Sequence, residues 1–234
     1  MNTKTLSFLA IIAVTFPGIS PVLYAGGRDY KPVIVPSEFT NKITNPYFPL
    51  TPGTVRKYVE KGGAEVAEIT STVTGGTKTL MGVRCVVVHE VVFIAGKQTE
   101  DKNEWYAQHK DGSVWFFGEL TKEFKAGGRV STEGSWEAGV GGALPGIVMP
   151  GELKPGLRFR EEFAPDTAED MGEVQGLRES ATTPAGKFDD CVRIREWSML
   201  EAGSAKQWFA RGVGFVRSEA TGGEECVLVS TNRK

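Results

Sequence analysis

Acidic side chains are the residues of this 234-residue chain that come closest to a recognisable chemical site. Two carboxyl groups in one pocket can act as a general acid and a general base when their surroundings push their pKa values apart. Six acidic residues could supply such a pair: Glu119, Glu137, Glu161, Glu162, Glu169 and Asp170. A hydrolase or isomerase that uses paired carboxylates is therefore the enzyme alternative, although acidic pairs are more often solvated surface groups.

Histidine, cysteine and serine give weaker signals for chemistry. Cys85 and His89 lie four residues apart on one predicted strand, which separates them by about 13 Å at ~3.3 Å per residue. That distance is too long for one tetrahedral metal ion. Ser135 lacks the glycine spacing of a nucleophile elbow. The sequence therefore predicts no metal site and no cofactor.

The three cysteines lie in apolar, strand-like runs. They are Cys85, Cys191 and Cys226, and an odd number leaves at least one thiol unpaired within the chain. Their sequence surroundings favour small core residues. One disulfide with any of the three pairings stays open, because pairing depends on geometry that the sequence does not supply.

The segment EWYAQHKDGSVWFFGE, residues 104–119, carries five aromatic residues around one Asp-Gly turn. This pattern predicts a β-hairpin. Side chains alternate between the two faces of a strand, so Trp105 and Tyr106 point to opposite sides, as do Trp115 and Phe116. One aromatic set can pack in the core. The other set must meet a loop, a partner protein or a ligand.

A Gly-rich apolar segment, residues 134–153, offers such a covering surface. A connecting loop of this length and composition is expected to lie against the protein, often as a pocket wall. We predict a ligand pocket between this segment and the aromatic hairpin, with apolar walls and a few polar groups. The predicted ligand-binding residues are Trp105, Tyr106, Gln108, His109, Trp115, Phe117, Glu119, Trp136 and Glu137.

Short runs of β-branched and aromatic residues fill the chain from about residue 46 onward, and Gly or Pro separates most of them. No window shows a long amphipathic helical period. Regularly spaced short strands indicate an all-β fold. We predict an antiparallel barrel or sandwich that forms a single β domain, residues 46–234.

The two halves of this domain resemble each other. A Pro-Gly pair at 52–53 recurs at 155–156, which is an offset of 103 residues (155 − 52). An aromatic pair before Ala at 105–107 recurs at 208–210 with the same offset (208 − 105). Cys85 and Cys191 are each followed by Glu five residues later. We predict an internal duplication of two similar β-meanders, at roughly 46–125 and 149–234, joined by a linking loop, 126–148.

The N-terminus has the pattern of a secretory signal peptide. A positive start is followed by a short apolar run and by Ala25 before Gly26, which predicts a signal peptide over residues 1–25. Residues 26–45 then form an N-terminal extension, and no later stretch is apolar enough to span a membrane. The net charge is −2 without a basic stripe, which argues against a nucleic-acid partner. The predicted location is periplasmic or secreted.

Several long motifs carry a resemblance to known proteins. NPYFPLTPGT, the aromatic hairpin and GSWEAGVGGALPGIVMP resemble a family of bacterial exported proteins that has no assigned function. TPAGKFDDCVRIREW, followed by ARGVGFVRSE, is similar to a wider set of periplasmic β-rich families. The resemblance covers most of residues 44–234. It implies an antiparallel, barrel-like fold and brings no reaction and no site residues.

These observations predict an exported, soluble protein that binds a small apolar or amphipathic ligand in the cell envelope. Its partner would be that ligand, with no nucleic acid and no membrane span. Two alternatives belong to other classes. One is the carboxylate-dependent hydrolase or isomerase, and the other is a protein-interaction module whose exposed aromatic face meets another protein.

Overall fold

Strands make up most of the chain in a computed structural model that describes residues 30–63 and 65–233. Strand accounts for 62% and helix for 3%, which confirms the predicted all-β class. The described strands are β1 (Phe39–Thr40), β2 (Val55–Lys61), β3 (Ala67–Leu80), β4 (Val83–Ile94), β5 (Lys97–His109), β6 (Val114–Phe124), β7 (Val130–Ser131), β8 (Trp136–Glu137), β9 (Leu144–Met149), β10 (Arg158–Arg160), β11 (Glu162–Phe163), β12 (Asp170–Thr183), β13 (Gly186–Ser198), β14 (Ala205–Ala210), β15 (Gly214–Ala220) and β16 (Glu225–Thr231).

The strands form one antiparallel sheet that curls into a nearly closed barrel. Its order is β10-β12-β13-β14-β15-β16-β2-β3-β4-β5-β6-β9-β11, with β1 paired to β5 and with β7 and β8 paired to β6. Chain neighbours are sheet neighbours through most of this order, as in a meander. The two halves join where β16 pairs with β2, and Val227 of β16 stands opposite Val59 of β2. The choice between barrel and sandwich is thus resolved in favour of the barrel.

On the other side of the barrel, one extended segment that contains β10 and β11 pairs with strands near both ends of the sheet order. β10 pairs with β12, and β11, only one residue later, pairs with β9. Glu161 lies between them and donates its backbone N–H to the Asp170 carbonyl at 2.8 Å. On β9, a Cβ added to Gly146 would lie 2.3 Å from the Glu161 carbonyl oxygen. Glycine therefore allows the close backbone approach at this seam.

Corresponding contacts occur in the two halves. The N–H of Gly53 donates to Val73 at 2.8 Å, and the N–H of Gly156 donates to Val174 at 2.7 Å. The offset between these paired contacts is close to that of the sequence repeat. They support the internal duplication, which remains a proposal.

The segments outside the two predicted copies also carry structure. The stretch predicted as a linking loop, 126–148, contains a short 3-10 turn, β7, β8 and most of β9, because its apolar residues pair with β6. The part of the N-terminal extension that is described includes β1 and the buried Ile43. The predicted signal peptide lies outside the described residues. In the part of the chain that is described, none of the helical turns could cross a bilayer.

Both faces of the aromatic hairpin are covered by protein. Inside the barrel, the rings of Tyr106 and Phe116 stack with centroids 5.0 Å apart. Outside, the ring of Phe39 in β1 lies 5.9 Å from Trp115 and 5.6 Å from Phe117, edge to face. The N-terminal segment therefore buries the outer aromatics, which explains why this hairpin carries aromatic residues on both faces.

All three cysteines are buried free thiols in the structure. They lie on β4, β13 and β16 and belong to the apolar core, as their sequence surroundings indicated.

Candidate ligand-binding cavity

A cavity opens inside the barrel and encloses about 660 Å³, counting the solvent at its mouth. Residues from β2, β3, β4, β5, β9, β14 and β15 contribute to its wall, together with the segment before β2. Its main apolar walls are Phe48, Leu50, Tyr58, Tyr106, Phe209 and Phe215, and its charged and amide groups are Arg56, Glu90, Glu104, Glu161 and Gln207.

The segment before β2 partly closes the mouth of the cavity. The ring of Phe48 packs between Tyr106 at 5.4 Å and Phe209 at 6.1 Å, which occupy matching positions in the sequence repeat. Arg56 holds the segment in place, because its guanidinium donates to the carbonyl of Pro49 at 2.8 Å and to that of Val213 at 2.9 Å. The guanidinium is therefore committed to backbone oxygens at the mouth.

A buried ammonium group surrounded by carboxyl groups lies deeper in the barrel. The Nζ of Lys102 is 3.2 Å from Glu90, 3.4 Å from Glu104, 3.9 Å from Glu119 and 4.0 Å from Glu100. Strand alternation produces this arrangement, because every second residue of β5 from 100 to 106 faces inward and β4 and β6 flank that strand.

Burial dominates the titration of this first cluster. It raises the pKa of Glu90 to about 8 and that of Glu119 to about 7, and the positive charge of Lys102 only partly opposes this effect. Burial also opposes the charge on Lys102, but the surrounding carboxylates, with Glu104 first, outweigh it and raise the Lys102 pKa well above its usual range. One ammonium group cannot neutralise four carboxylates, so this cluster binds protons near neutral pH.

A second cluster of carboxyl groups lies at the barrel seam and on β13. Burial raises the pKa of Glu161, Glu162 and Glu196 well above the usual range, and repulsion from neighbouring carboxyl groups raises it further. Burial also raises the pKa of Asp170 to about 6, although hydrogen bonds with Ser198 and Glu162 oppose this increase. Among the described residues, no Lys or Arg forms an ion pair with Glu161, Glu162 or Glu196. The charge of the buried Arg160 acts on Asp170, so the lack of a counterpart of Lys102 concerns Glu161, Glu162 and Glu196.

Three of the predicted ligand-binding residues lie on the inner side of the sheet. Tyr106 lines the cavity. Glu119 lies beside Lys102. The indole N–H of Trp136 donates to Glu162 at 2.9 Å, and its ring packs edge to face on Phe116.

Four of the predicted residues lie on the outer side of the hairpin. Trp105 is 3% exposed, and the ammonium group of Lys78 sits 3.7 Å above its ring. The same ammonium group donates to Glu137. Trp115 and Phe117 lie on this outer side as well. None of these four side chains lines the cavity.

The two remaining predicted residues anchor the N-terminal segment to the end of the hairpin. Gln108 Oε1 accepts the backbone N–H groups of Thr44 at 2.7 Å and Asn45 at 2.9 Å. His109 Nε2 lies 3.1 Å from a carboxylate oxygen of Glu38. Tyr106 is thus the one predicted residue that lines the cavity, and ligand contact by the other eight stays a prediction.

Several of the most buried charged residues were not predicted from the sequence as site residues. Glu90, Lys102 and Glu104 were not selected, although Glu90 stands alone in the apolar run RCVVVHEVVF. The fixed distance from Cys85 to Glu90, repeated from Cys191 to Glu196, was the available signal. A charged residue at a matching place after the Cys in both halves could have indicated a buried polar site.

A metal site does not emerge from these carboxyl groups. Within residues 30–63 and 65–233, no group of three or more His, Cys, Asp or Glu side chains is arranged to hold a metal ion.

Comparison with known proteins gives two similar solved structures and one family match. A crystal structure from Bacteroides fragilis, provisionally described as an exported protein with a YmcC-like fold, has 15% identity and a TM-score of 0.48, over 80% of this chain and 98% of the other. A crystal structure from Parabacteroides distasonis, provisionally described as a lipoprotein, has 15% identity and a TM-score of 0.43 over the same shares. A search of curated proteins returns no match. Residues 173–232, within the second half of the barrel, match a family described as DUF3108-like.

Proposed function

We propose that this protein binds a small apolar or amphipathic molecule inside its barrel and works as an exported protein of the cell envelope. The observation that carries the proposal is the cavity itself, which combines aromatic walls with buried carboxyl groups at its base. Small-molecule sites in proteins are mostly apolar with a few polar groups that fix orientation.

The cavity wall supplies the binding energy that such a ligand needs. Burial of apolar surface gives roughly 25 cal/mol per Å², so an apolar group that covers Tyr106, Phe209 and Phe215 gains several kcal/mol. The polar groups are placed unevenly, because Arg56 is held at the mouth whereas Glu90 lies beside the deeper Lys102. An amphipathic ligand would therefore bind in one orientation.

Export is proposed from the sequence pattern of the N-terminus. A positive start, a short apolar run and a small residue before Gly26 are typical of a signal peptide. Cleavage there leaves a chain that begins shortly before the described residues. The periplasm or the outside of the cell is the location that follows.

Native mass spectrometry of protein purified from the envelope of its own host tests this function. The cavity-filling variant Val88→Phe places a larger side chain in the wall, and Val229→Phe makes the same change at a partly exposed site of β16. We expect wild type and Val229→Phe to carry an excess mass that leaves on denaturation, and Val88→Phe to carry none. Thermal unfolding must show Val88→Phe folded, since overpacking costs about 1–3 kcal/mol. A bare mass for wild type across growth conditions would contradict the proposal.

The carboxylate-dependent enzyme remains a second candidate because of one observation. Glu90 lines the cavity and has a pKa raised to about 8, which suits a general acid or base near neutral pH. A Glu90→Gln variant distinguishes the two functions. It would abolish turnover of a substrate by an enzyme, whereas it would only lower the affinity for a bound ligand.

A further inference from the structure

Acidic groups far outnumber basic groups in the interior of the barrel. Eight carboxyl groups lie buried or nearly buried there: Glu90, Glu100, Glu104, Glu119, Glu161, Glu162, Asp170 and Glu196. Lys102 is the buried ammonium group among them, and it contacts the first four. Arg56, the charged group at the mouth, donates to backbone carbonyls instead. The interior thus favours a positively charged guest.

The two halves of the barrel differ at the position of this ammonium group. On β4 and β5, Glu90 stands directly opposite Lys102 in the strand register. On β13 and β14, Glu196 stands directly opposite Ala205. Ala205 follows Lys102 by 103 residues (205 − 102), the offset of the sequence repeat. The second half therefore keeps the carboxyl group and lacks the cation that accompanies it in the first half.

A carboxyl group without a partner faces the cavity in this second half. Glu161 lines the cavity and is 2% exposed. Among the described residues, none donates a hydrogen bond to its carboxyl group or forms an ion pair with it. One oxygen of the neighbouring Glu196 has no hydrogen-bond partner either, while the other accepts from Gln207. Buried polar groups are nearly always satisfied, so an unpaired carboxyl group in a cavity wall indicates a missing partner.

We propose that the cavity takes an amphipathic amine, whose ammonium group binds the Glu161 carboxylate and whose apolar part lies along the aromatic wall toward the mouth. This inference rests on the proposed function and names the class of ligand. The ammonium group takes the place in the second half that Lys102 occupies in the first. A primary ammonium group is a hydrogen-bond donor that suits the carboxyl oxygens of Glu161, and Glu90 and Glu104 line the same cavity.

Binding of the amine is coupled to loss of a proton. Burial, followed by the charges of Asp170 and Glu162, raises the Glu161 pKa well above its usual range, so the empty site favours the protonated form of this carboxyl group. The nearest acidic groups are the carboxyls of Asp170, Glu162 and Glu196, and the buried Arg160 acts on Asp170. Glu90 and Glu104, with Lys102 behind them, and Arg56 at the mouth complete the set of charged groups. An arriving ammonium group favours the ionised form and displaces the proton. Affinity therefore rises with pH until the amine itself loses its charge.

Three probes with the same tail test the head-group preference. Decylamine, decanoate and decanol are titrated by isothermal calorimetry into the mature protein, delipidated by a cycle of unfolding and refolding and checked by mass. We expect decylamine to bind at least tenfold more tightly than the other two. In two buffers of different ionisation enthalpy, decylamine binding should show release of protons, and its affinity should fall as the pH is lowered from 8 to 6.

Two variants and one control assign the effect to the second half. Glu161→Gln preserves shape and removes the charge, so decylamine affinity should fall about 10- to 100-fold and proton release should vanish, while decanol binding is unchanged. Glu152→Gln, at a side chain that is 79% exposed, should behave as wild type. Ala205→Lys supplies an internal ammonium group opposite Glu196 and should weaken decylamine binding without loss of the fold.

The outcomes separate this inference from the function beneath it. Failure of all three probes to bind would overturn both the amine and the proposed ligand-binding function. If decanol or decanoate binds as tightly as decylamine, the preference for an amine is refuted, whereas the proposed ligand-binding function still holds. Equal decylamine affinity in wild type and Glu161→Gln, with the same proton release, would also overturn the assignment to Glu161.

Discussion

Replacement of Lys102 by Met tests whether the polar interior is held together by charge. The side chain is fully buried, and its Nζ lies within 4.0 Å of four carboxyl groups. Methionine has a similar length and no charge, so packing of the alkyl chain is largely kept. The variant leaves the carboxyl groups without their ammonium partner.

The expected loss follows from the distances. At an effective dielectric constant of about 20, opposite unit charges 3.2 Å apart attract by about 5 kcal/mol, while removal of each ion from water costs several kcal/mol. Without the ammonium group, the carboxyl groups lower their energy by staying protonated. Holding one carboxyl protonated at pH 8 instead of pH 5 costs about 4 kcal/mol, at 1.36 kcal/mol per pH unit. We expect Lys102→Met to lose about 3–5 kcal/mol at pH 8 and about 1 kcal/mol at pH 5.

Urea denaturation at both pH values, followed by tryptophan fluorescence, measures this difference. Lys122→Met on β6 is the control, since that side chain is exposed and should change stability by no more than about 0.5 kcal/mol. An equal loss for Lys102→Met at pH 5 and pH 8 would refute the reasoning, because it would show that the residue acts through packing and not through charge.

Other predictions concern the titration and hydrogen bonding of the same interior. The free energy of unfolding of the wild type should be largest near pH 4.5 and should fall by several kcal/mol as the pH rises through 7 and 8. The reason is that Glu90 and Glu119 have pKa values raised to about 8 and 7, so the folded state binds extra protons. A urea midpoint that stays constant from pH 5 to pH 8.5 would contradict this. Glu196→Gln should raise the thermal midpoint at pH 8 and leave it nearly unchanged at pH 5, since burial raises the pKa of Glu196 well above its usual range. Trp136→Phe should lower the free energy of unfolding by about 1–3 kcal/mol, because Glu162 loses its indole donor. An unchanged free energy in urea denaturation would show that this hydrogen bond does not stabilise the fold.

The strand content and the antiparallel class followed from local patterns, but the choice of inner face did not. On β5, Trp105 and Ala107 form an apolar face, and Lys102 and Glu104 form a charged one. Alternation defines two faces and leaves open which of them turns inward, and the apolar face would normally be placed in the core. In this barrel the charged face turns inward. The apolar face is buried on the outside, where Lys78 covers Trp105.

Long-range contacts account for most of what the sequence could not supply at the site. The outer aromatics were expected to meet the segment 134–153, yet Phe39 from the N-terminal extension packs on Trp115 and Phe117. Glu161 and Glu162 were recognised as candidate carboxyls, but their burial depends on the seam between β9 and β12, which no local pattern encodes. Pairings between strands so distant in the chain depend on the curvature and closure of the whole sheet.

Buried carboxyl groups without cations are hard to explain by stability alone. Apolar residues of similar volume in place of buried charges are often neutral or stabilising, so Glu161 and Glu196 cost the empty protein free energy that increases with pH. A ligand that binds only the folded state returns stability in proportion to the logarithm of its concentration over its dissociation constant. An ammonium ligand would return most at pH 8, where the carboxyl groups most need a partner. An uncharged ligand of the same length would stabilise the folded state equally at pH 5 and pH 8. The pH dependence of ligand stabilisation therefore shows whether the cavity recognises a charge or only apolar surface.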